Sequence, residues 1–172
     1  FIRFLTKDSA GKVGVREGFA IVSFAWLVMS LLGMLPYLLS GVTLNVTDAF
    51  FETMSGFTTT GATVFNQIEI MPAGILVWRS MTQWLGGMGI VVLSIALLPI
   101  LGVGGYRLMK AESPGGVAYE RETPRITDAA KELWIIYVVL TGVLMIILYF
   151  LGMSPLDAIC HGFTTLATGG FS

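Results

Sequence analysis

The chain has 172 residues, 55% of them hydrophobic and only 12% charged, with a mean hydropathy of +0.81. Soluble domains carry about 25% charged residues, so the composition is that of a membrane protein. The formal net charge of −1 singles out no class of partner and no nucleic acid partner is expected, while a sole cysteine, Cys160, excludes disulfide scaffolds and cysteine-based metal sites within the chain.

In chain order, residues 1–17 hold Arg3, Lys7, Lys12 and Arg16 and form a polar N-terminal segment. They are not a signal peptide, and Phe1 is not a start methionine, so the chain is expected to be part of a longer one. Residues 18–39, "GFAIVSFAWLVMSLLGMLPYLL", carry no charge and predict a first membrane span. Residues 40–78 are apolar in part but too short to cross, and contain "SGFTTTGATVF" at 55–65. Residues 80–106 predict a second, overlong span, residues 107–131 a solvated linker with two prolines and a Gly-Gly pair, and residues 133–153 a third span. Residues 154–172 close the chain with another short, partly apolar segment ending in "ATGGFS".

Basic residues orient these spans. Arg107, Lys110, Arg121, Arg125 and Lys131 lie in or at the edge of the linker, and neither 40–78 nor 154–172 contains a lysine or arginine. Nine of the ten basic residues thus fall on one side of a three-span topology, the cytoplasmic side by the positive-inside rule. The tenth, Arg79, stands near the outer end of the second span.

The two short segments repeat each other. "NVTDAFFETMSGFTTTGA" (45–62) aligns with "SPLDAICHGFTTLATGGF" (154–171) without a gap, at a spacing of 109 residues, matching Asp48 with Asp157 and Ala49 with Ala158. The same register matches Thr59 with Thr168 and Gly61 with Gly170; the alternative pairs Thr60-Gly61 with Thr168-Gly169. Asn45 and Ser154 are the expected N-caps, each with an aspartate three residues on that favours the positive end of a helix. Pro155 falls at N1, where its missing N–H costs nothing. Each copy therefore predicts a helix of about 12 residues, half a bilayer long, that runs into a loop of threonine and glycine.

At membrane depth such a loop is tolerated only where protein or a water-filled cavity surrounds it. The helix ahead of it presents a carbonyl end that attracts a cation. Glycine turns the backbone into conformations closed to other residues, and threonine adds a neutral hydroxyl oxygen. Carbonyl rings of this kind replace the hydration shell of potassium in selectivity filters. Several loops have to converge on one axis, because an unligated cation at this depth costs tens of kcal/mol.

"DAFFETMSGFTTTGATV", "RSMTQWLGGMGIVVLSIALLP" and "DAICHGFTTLATGGFS" together resemble the Trk/Ktr/HKT superfamily of potassium transporters, over essentially the whole chain. The resemblance implies an all-α integral membrane protein built from repeated units of span, re-entrant pore helix, filter loop and span, four to a chain around a pseudo-fourfold pore. This sequence matches the first unit (18–106, filter 58–63) and about two thirds of the second (132–172, filter 167–171). Outside the match lie two further units, an intramembrane gating loop and a late basic pore residue. The resemblance further implies potassium uptake across a bacterial cytoplasmic membrane, with potassium as the transported ligand and no cofactor in this chain. Its filter residues fall on Thr58, Thr59, Thr60 and Gly61, and on Ala167, Thr168, Gly169 and Gly170. The implied partners are membrane lipid, a cytosolic nucleotide-binding subunit of the TrkA/KtrA type, and a second copy of the full-length chain. The linker is a candidate docking surface for that subunit, through Arg121 and Arg125, the alternative being a plain solvated loop.

Other residues carry two readings each. Glu52, a carboxylate in the first pore helix, is a functional candidate by its depth, against a solvated position near the outer vestibule. Arg79 either reaches the headgroups or ties down the carbonyl end of a pore helix. Gly86, Gly87 and Gly89 form a helix-packing face or a flexible point in the pore lining. Cys160 and His161 read as packing rather than as a metal site, and the "NVT" sequon at 45–47 as a helix cap rather than a glycan acceptor. An intramembrane enzyme would need a nucleophile–base pair or metal ligands at helical spacing, which one histidine beside one cysteine does not supply. A non-conducting adaptor would leave the repeated loop without a purpose, and the residues leave ion-coupled symport open beside passive conduction.

Overall fold

The structure, a computed structural model, describes residues 15–101 and 122–172. It has six helices among the described residues and no strand: α1 (Val15–Gly33), α2 (Leu35–Leu39), α3 (Val46–Phe57), α4 (Ala73–Leu101), α5 (Glu122–Phe150) and α6 (Pro155–Leu166). Two stretches among these residues are long and apolar enough to cross a membrane, Phe19–Leu39 and Ala130–Phe150, and few of their side chains are buried. Phe24, Leu32, Ile135 and Ile146 lie exposed on the outside, while Ser30, Glu52, Thr53, Arg79, Thr82, Gln83, Thr141 and Thr164 are buried. Apolar outside and polar inside reverses the arrangement of a soluble core and is the architecture of an all-α integral membrane protein. Each buried polar group then needs an internal partner.

The first apolar run breaks where Pro36 interrupts it. Proline lacks the N–H that would bond one turn back, and the next amide, on Tyr37, bonds Met34 O at 3.1 Å instead of Gly33 O. The Gly33 carbonyl left over accepts from Trp78 Nε1 at 3.0 Å, tying the break to α4. Helix α4 starts at Ala73, ahead of the uncharged run at 80–106. Arg79 does not delay it, because its charge is paired and buried; the part of that run beyond Leu101 lies outside the described residues. Helix α5 corrects the linker: it begins at Glu122, so 122–131 are helical rather than loop. Mixed charge there reflects a polar extension of the span, and Pro124 is accommodated in its first turn. Residues 107–121 lie outside the described residues.

Helix α4 packs on both α3 and α6, α5 packs on α6 and α4, and α1 packs on α3. Small residues permit the closest approach. A methyl group on Gly86 would collide with the Phe57 carbonyl at the end of α3, and one on Gly87 would press on Ala167 and Tyr137, while Gly89 faces Trp26. Trp84 joins α4 to the second unit: it stacks on Tyr137 at 5.4 Å, packs against Phe163 at 5.2 Å and donates Nε1 to Thr141 Oγ1 at 2.9 Å.

Candidate functional site

Both short helices are 12 residues long and begin on side-chain caps. Asn45 Oδ1 accepts from Thr47 N at 3.0 Å, and Ser154 Oγ accepts from Asp157 N at 3.2 Å while donating to Asp157 Oδ2 at 2.7 Å. Asp48 and Asp157 lie in the first turns, and Pro155 occupies the start of α6.

The two helices also end alike. Thr58, Thr59 and Thr60 donate their amides to Met54, Gly56 and Ser55; Ala167, Thr168 and Gly169 donate theirs to Phe163, Thr165 and Thr164, each partner 109 residues further on. The six-to-one and five-to-two bonds form a Schellman motif, whose C′ residue is left-handed and is ordinarily glycine. Here it is threonine in both copies, Thr59 at φ 54° and Thr168 at φ 52°. A β-branched residue is strained in that region. Two residues on, Gly61 at φ 75° and Gly170 at φ 76° turn left-handed again. These paired torsions select the gapless register and exclude the pairing of Thr60-Gly61 with Thr168-Gly169.

Between Thr59 and Gly61 the backbone alternates in handedness. Alternation of this kind gathers successive N–H groups on one side and leaves the carbonyls on the other, a surface of neutral oxygens suited to a cation. Among the described residues no three His, Cys, Asp or Glu side chains gather as metal ligands, so a cation held here would be held by backbone and hydroxyl oxygens. Hydroxyls support the loop: Thr58 Oγ1 donates to Met54 O at 2.7 Å and lies 2.8 Å from Thr60 Oγ1, and Ser55 Oγ donates to Ala62 O at 2.6 Å. The residue equivalent to Ser55, Thr164, reaches Ser172 in the second loop.

The loops meet each other. Gly61 lies so close to the Gly169 carbonyl that no β-carbon fits between them, whereas the corresponding space at Gly170 is open. Glu52, Arg79 and Gln83 brace the junction and are almost fully buried. Glu52 accepts from Arg79 Nε at 2.6 Å, from Thr63 Oγ1 at 2.9 Å and from Val64 N at 3.2 Å. Arg79 donates Nη1 to Phe171 O at 2.6 Å and lies 3.7 Å above the Phe171 ring. Gln83 donates to Gly169 O at 2.6 Å and accepts from Phe171 N at 3.2 Å.

The sequence of residues 2–172 matches the family described as TrkH, cation transport protein. The chain belongs to that family. It is 51% identical over 167 residues to the Trk system potassium uptake protein TrkH of Escherichia coli (strain K12), covering 96% of this chain and 35% of that protein. It is 42% identical over 171 residues to the Trk system potassium uptake protein TrkG of the same strain, covering 98% of this chain and 35% of that protein. Among solved structures, the crystal structure of the potassium transporter TrkH from Vibrio parahaemolyticus superposes with a TM-score of 0.77 at 43% identity, covering 96% of this chain and 32% of that one. The chain thus spans about a third of the length of these relatives.

The structure brings Thr58–Gly61 and Ala167–Gly170 to one junction, with Thr60, Thr168 and Gly170 exposed and Gly169 and Ala167 buried. Two carbonyls of these stretches already accept from side chains, that of Gly169 from Gln83 at 2.6 Å and that of Ala167 from Thr168 Oγ1 at 2.7 Å. Glu52 is not at a solvated vestibule position: it is 0% exposed and ion-paired. Arg79 does not reach outward to headgroups; it is 3% exposed and bonds the second loop. Gly86, Gly87 and Gly89 lie at close helix contacts, Cys160 is buried and His161 half-buried beside Asp157 and Arg79. Arg121 lies outside the described residues, and of Arg125 only the backbone, in α5, is described. Gln83 was missed, whereas Thr63 and Phe171 lie within the expected filter stretches 58–63 and 167–171 but were given no bracing role there. Gln83 had one signal, a polar residue four positions after Arg79 on the same helix face of an otherwise apolar run.

Proposed function

We propose that the chain supplies two of the carbonyl-bearing filter loops of a potassium-conducting pore, within a longer protein that takes up potassium across a bacterial cytoplasmic membrane. The observation that carries this reading is the repeated loop: two half-bilayer helices ending in the same strained turn, with Gly61 seated against the second loop. A potassium ion passing there exchanges hydration water for the carbonyls of Thr59, Thr60, Gly61, Thr168 and Gly170, assisted by threonine hydroxyls and by the negative ends of α3 and α6. Relatives named as potassium uptake proteins, at 51% and 42% identity, support the choice of ion.

The distribution of lysine and arginine supports loops that face outward and a linker in the cytoplasm. On that side Arg121 of the linker and Arg125 at the start of α5 meet a nucleotide-binding regulatory subunit of the TrkA/KtrA type. Movement of the linker passes to the pore through α4, which precedes it in the chain. The full-length protein functions as a homodimer in lipid.

Flux through the full-length protein in liposomes tests this reading. Rubidium or potassium uptake is measured with sodium as competitor, in the wild type and in Gly61→Ser. The serine has to enter a left-handed position with no room for its β-carbon, so discrimination against sodium falls. Selectivity equal to the wild type would remove Gly61 from the filter.

A further inference from the structure

We propose that Gln83 is a positioning residue that sets the ion selectivity of the second loop, by drawing the Gly169 carbonyl toward α4 and locking the loop against that helix. This rests on the filter reading above. Gln83 is fully buried on α4, which also buries Arg79, Ser80 and Thr82, and its carboxamide makes two bonds to one short piece of backbone. Nε2 donates to Gly169 O at 2.6 Å, and Oε1 accepts from Phe171 N at 3.2 Å. Gly170, between those two residues, is left-handed at φ 76°, and across this turn the Gly169 carbonyl and the Phe171 amide both face Gln83. The carboxamide therefore clamps the turn at Gly170 from both sides.

Only a carboxamide of this length satisfies both partners. A carboxylate has no donor for Gly169, an ammonium has no acceptor for Phe171, and methionine of similar shape has neither. Arg79, one turn earlier, adds the third bond through Nη1 to Phe171 O. Helix α4 of the first unit thus holds three backbone polar atoms of the second loop, Gly169 O, Phe171 N and Phe171 O.

The first loop is held differently. Its fixed points, Ala62 O, Thr63 Oγ1 and Val64 N, bond to Ser55 and Glu52 of its own helix. Among the described residues no side chain donates to the carbonyl of Thr60, the counterpart of Gly169. The two loops therefore share a backbone trace but present different numbers of uncommitted carbonyls; Gln83 occupies that of Gly169, and the Thr168 hydroxyl that of Ala167. A merely structural glutamine would affect how much protein is made and how fast ions pass, but not which ion is preferred.

The test is rubidium uptake under sodium competition in liposomes containing the full-length protein, comparing wild type, Gln83→Met, Gln83→Glu and Gly61→Ala. Q83M and Q83E lower the rubidium-to-sodium preference by about fivefold or more, the scale of one buried hydrogen bond, as does G61A. An altered ratio in G61A beside a wild-type ratio in Q83M or Q83E overturns the role of Gln83 and leaves the filter reading standing. A wild-type ratio in G61A overturns the filter reading and this inference with it. Where Q83M does not accumulate in membranes, Gln83→Asn decides: it keeps donor and acceptor but falls one methylene short, so its ratio drops as well, and a wild-type ratio overturns the proposal.

Discussion

Glu52 Oε1 lies 2.6 Å from Arg79 Nε, with Glu52 0% and Arg79 3% exposed. Glu52 also holds Thr63 and Val64 of the first loop, while Arg79 holds Phe171 of the second. One ion pair therefore sits between two backbone loops that are far apart in sequence and fixes each relative to the other. Glu52 Oε2 and Arg79 Nη1 are hydrogen-bonded as well, and such further bonds are what make a buried pair tolerable.

Breaking that pair from one side should be costly. Glu52→Gln leaves the Arg79 guanidinium buried without its counter-charge, a loss of about 3–5 kcal/mol. Thermal unfolding of the full-length protein in detergent should show a clearly lower midpoint. The double variant E52Q/R79M should recover part of the loss, because no buried charge remains; a midpoint for E52Q equal to the wild type would show that the pair does not brace the junction.

Two glycines should respond oppositely to alanine. Gly86→Ala forces α4 away from the Phe57 carbonyl and should destabilise by about 1–3 kcal/mol, the usual scale of overpacking. Gly142 in α5 has open space around its missing β-carbon. Gly142→Ala should raise stability by up to about 1 kcal/mol through helix propensity. The pair of unfolding midpoints checks both, and a tolerated G86A would mean the α3–α4 contact yields easily.

The left-handed threonines make a third prediction. Thr59 and Thr168 sit where glycine is unstrained, and such strain costs about 1–3 kcal/mol per residue. Thr59→Gly and Thr168→Gly should each raise the unfolding midpoint, since the Schellman bonds are made by backbone alone. A lowered midpoint would show that the threonine side chains stabilise the turn by more than its strain.

Much of this was legible locally. The caps at Asn45 and Ser154, the lengths of α3 and α6, and the repeat at 109 residues follow from contacts within a few positions. Hydropathy marked the apolar runs at 18–39 and 133–153, which contain most of the two helical stretches long and apolar enough to cross a membrane. The partners of Arg79 and Gln83 were not legible, because they lie 27, 92, 86 and 88 residues away and depend on how α4 is rotated between α3 and α6. The solvated alternative stood open for Glu52 because a lone carboxylate prefers water, and only the position of Arg79 reverses that preference. The start of α5 was misplaced for a related reason: charge and proline at 122–131 suggest a loop, yet both are compatible with the first turns of a helix.

The central claim is that the two threonine–glycine loops hold the transported ion. Anomalous scattering from crystals of the full-length protein grown with rubidium or thallium in place of potassium addresses it most directly. The account predicts an anomalous peak within coordinating distance of the carbonyls of Gly61 and Gly170, lost when sodium replaces the heavier ion. A protein active in flux, with a peak elsewhere and none beside these two carbonyls, would contradict it.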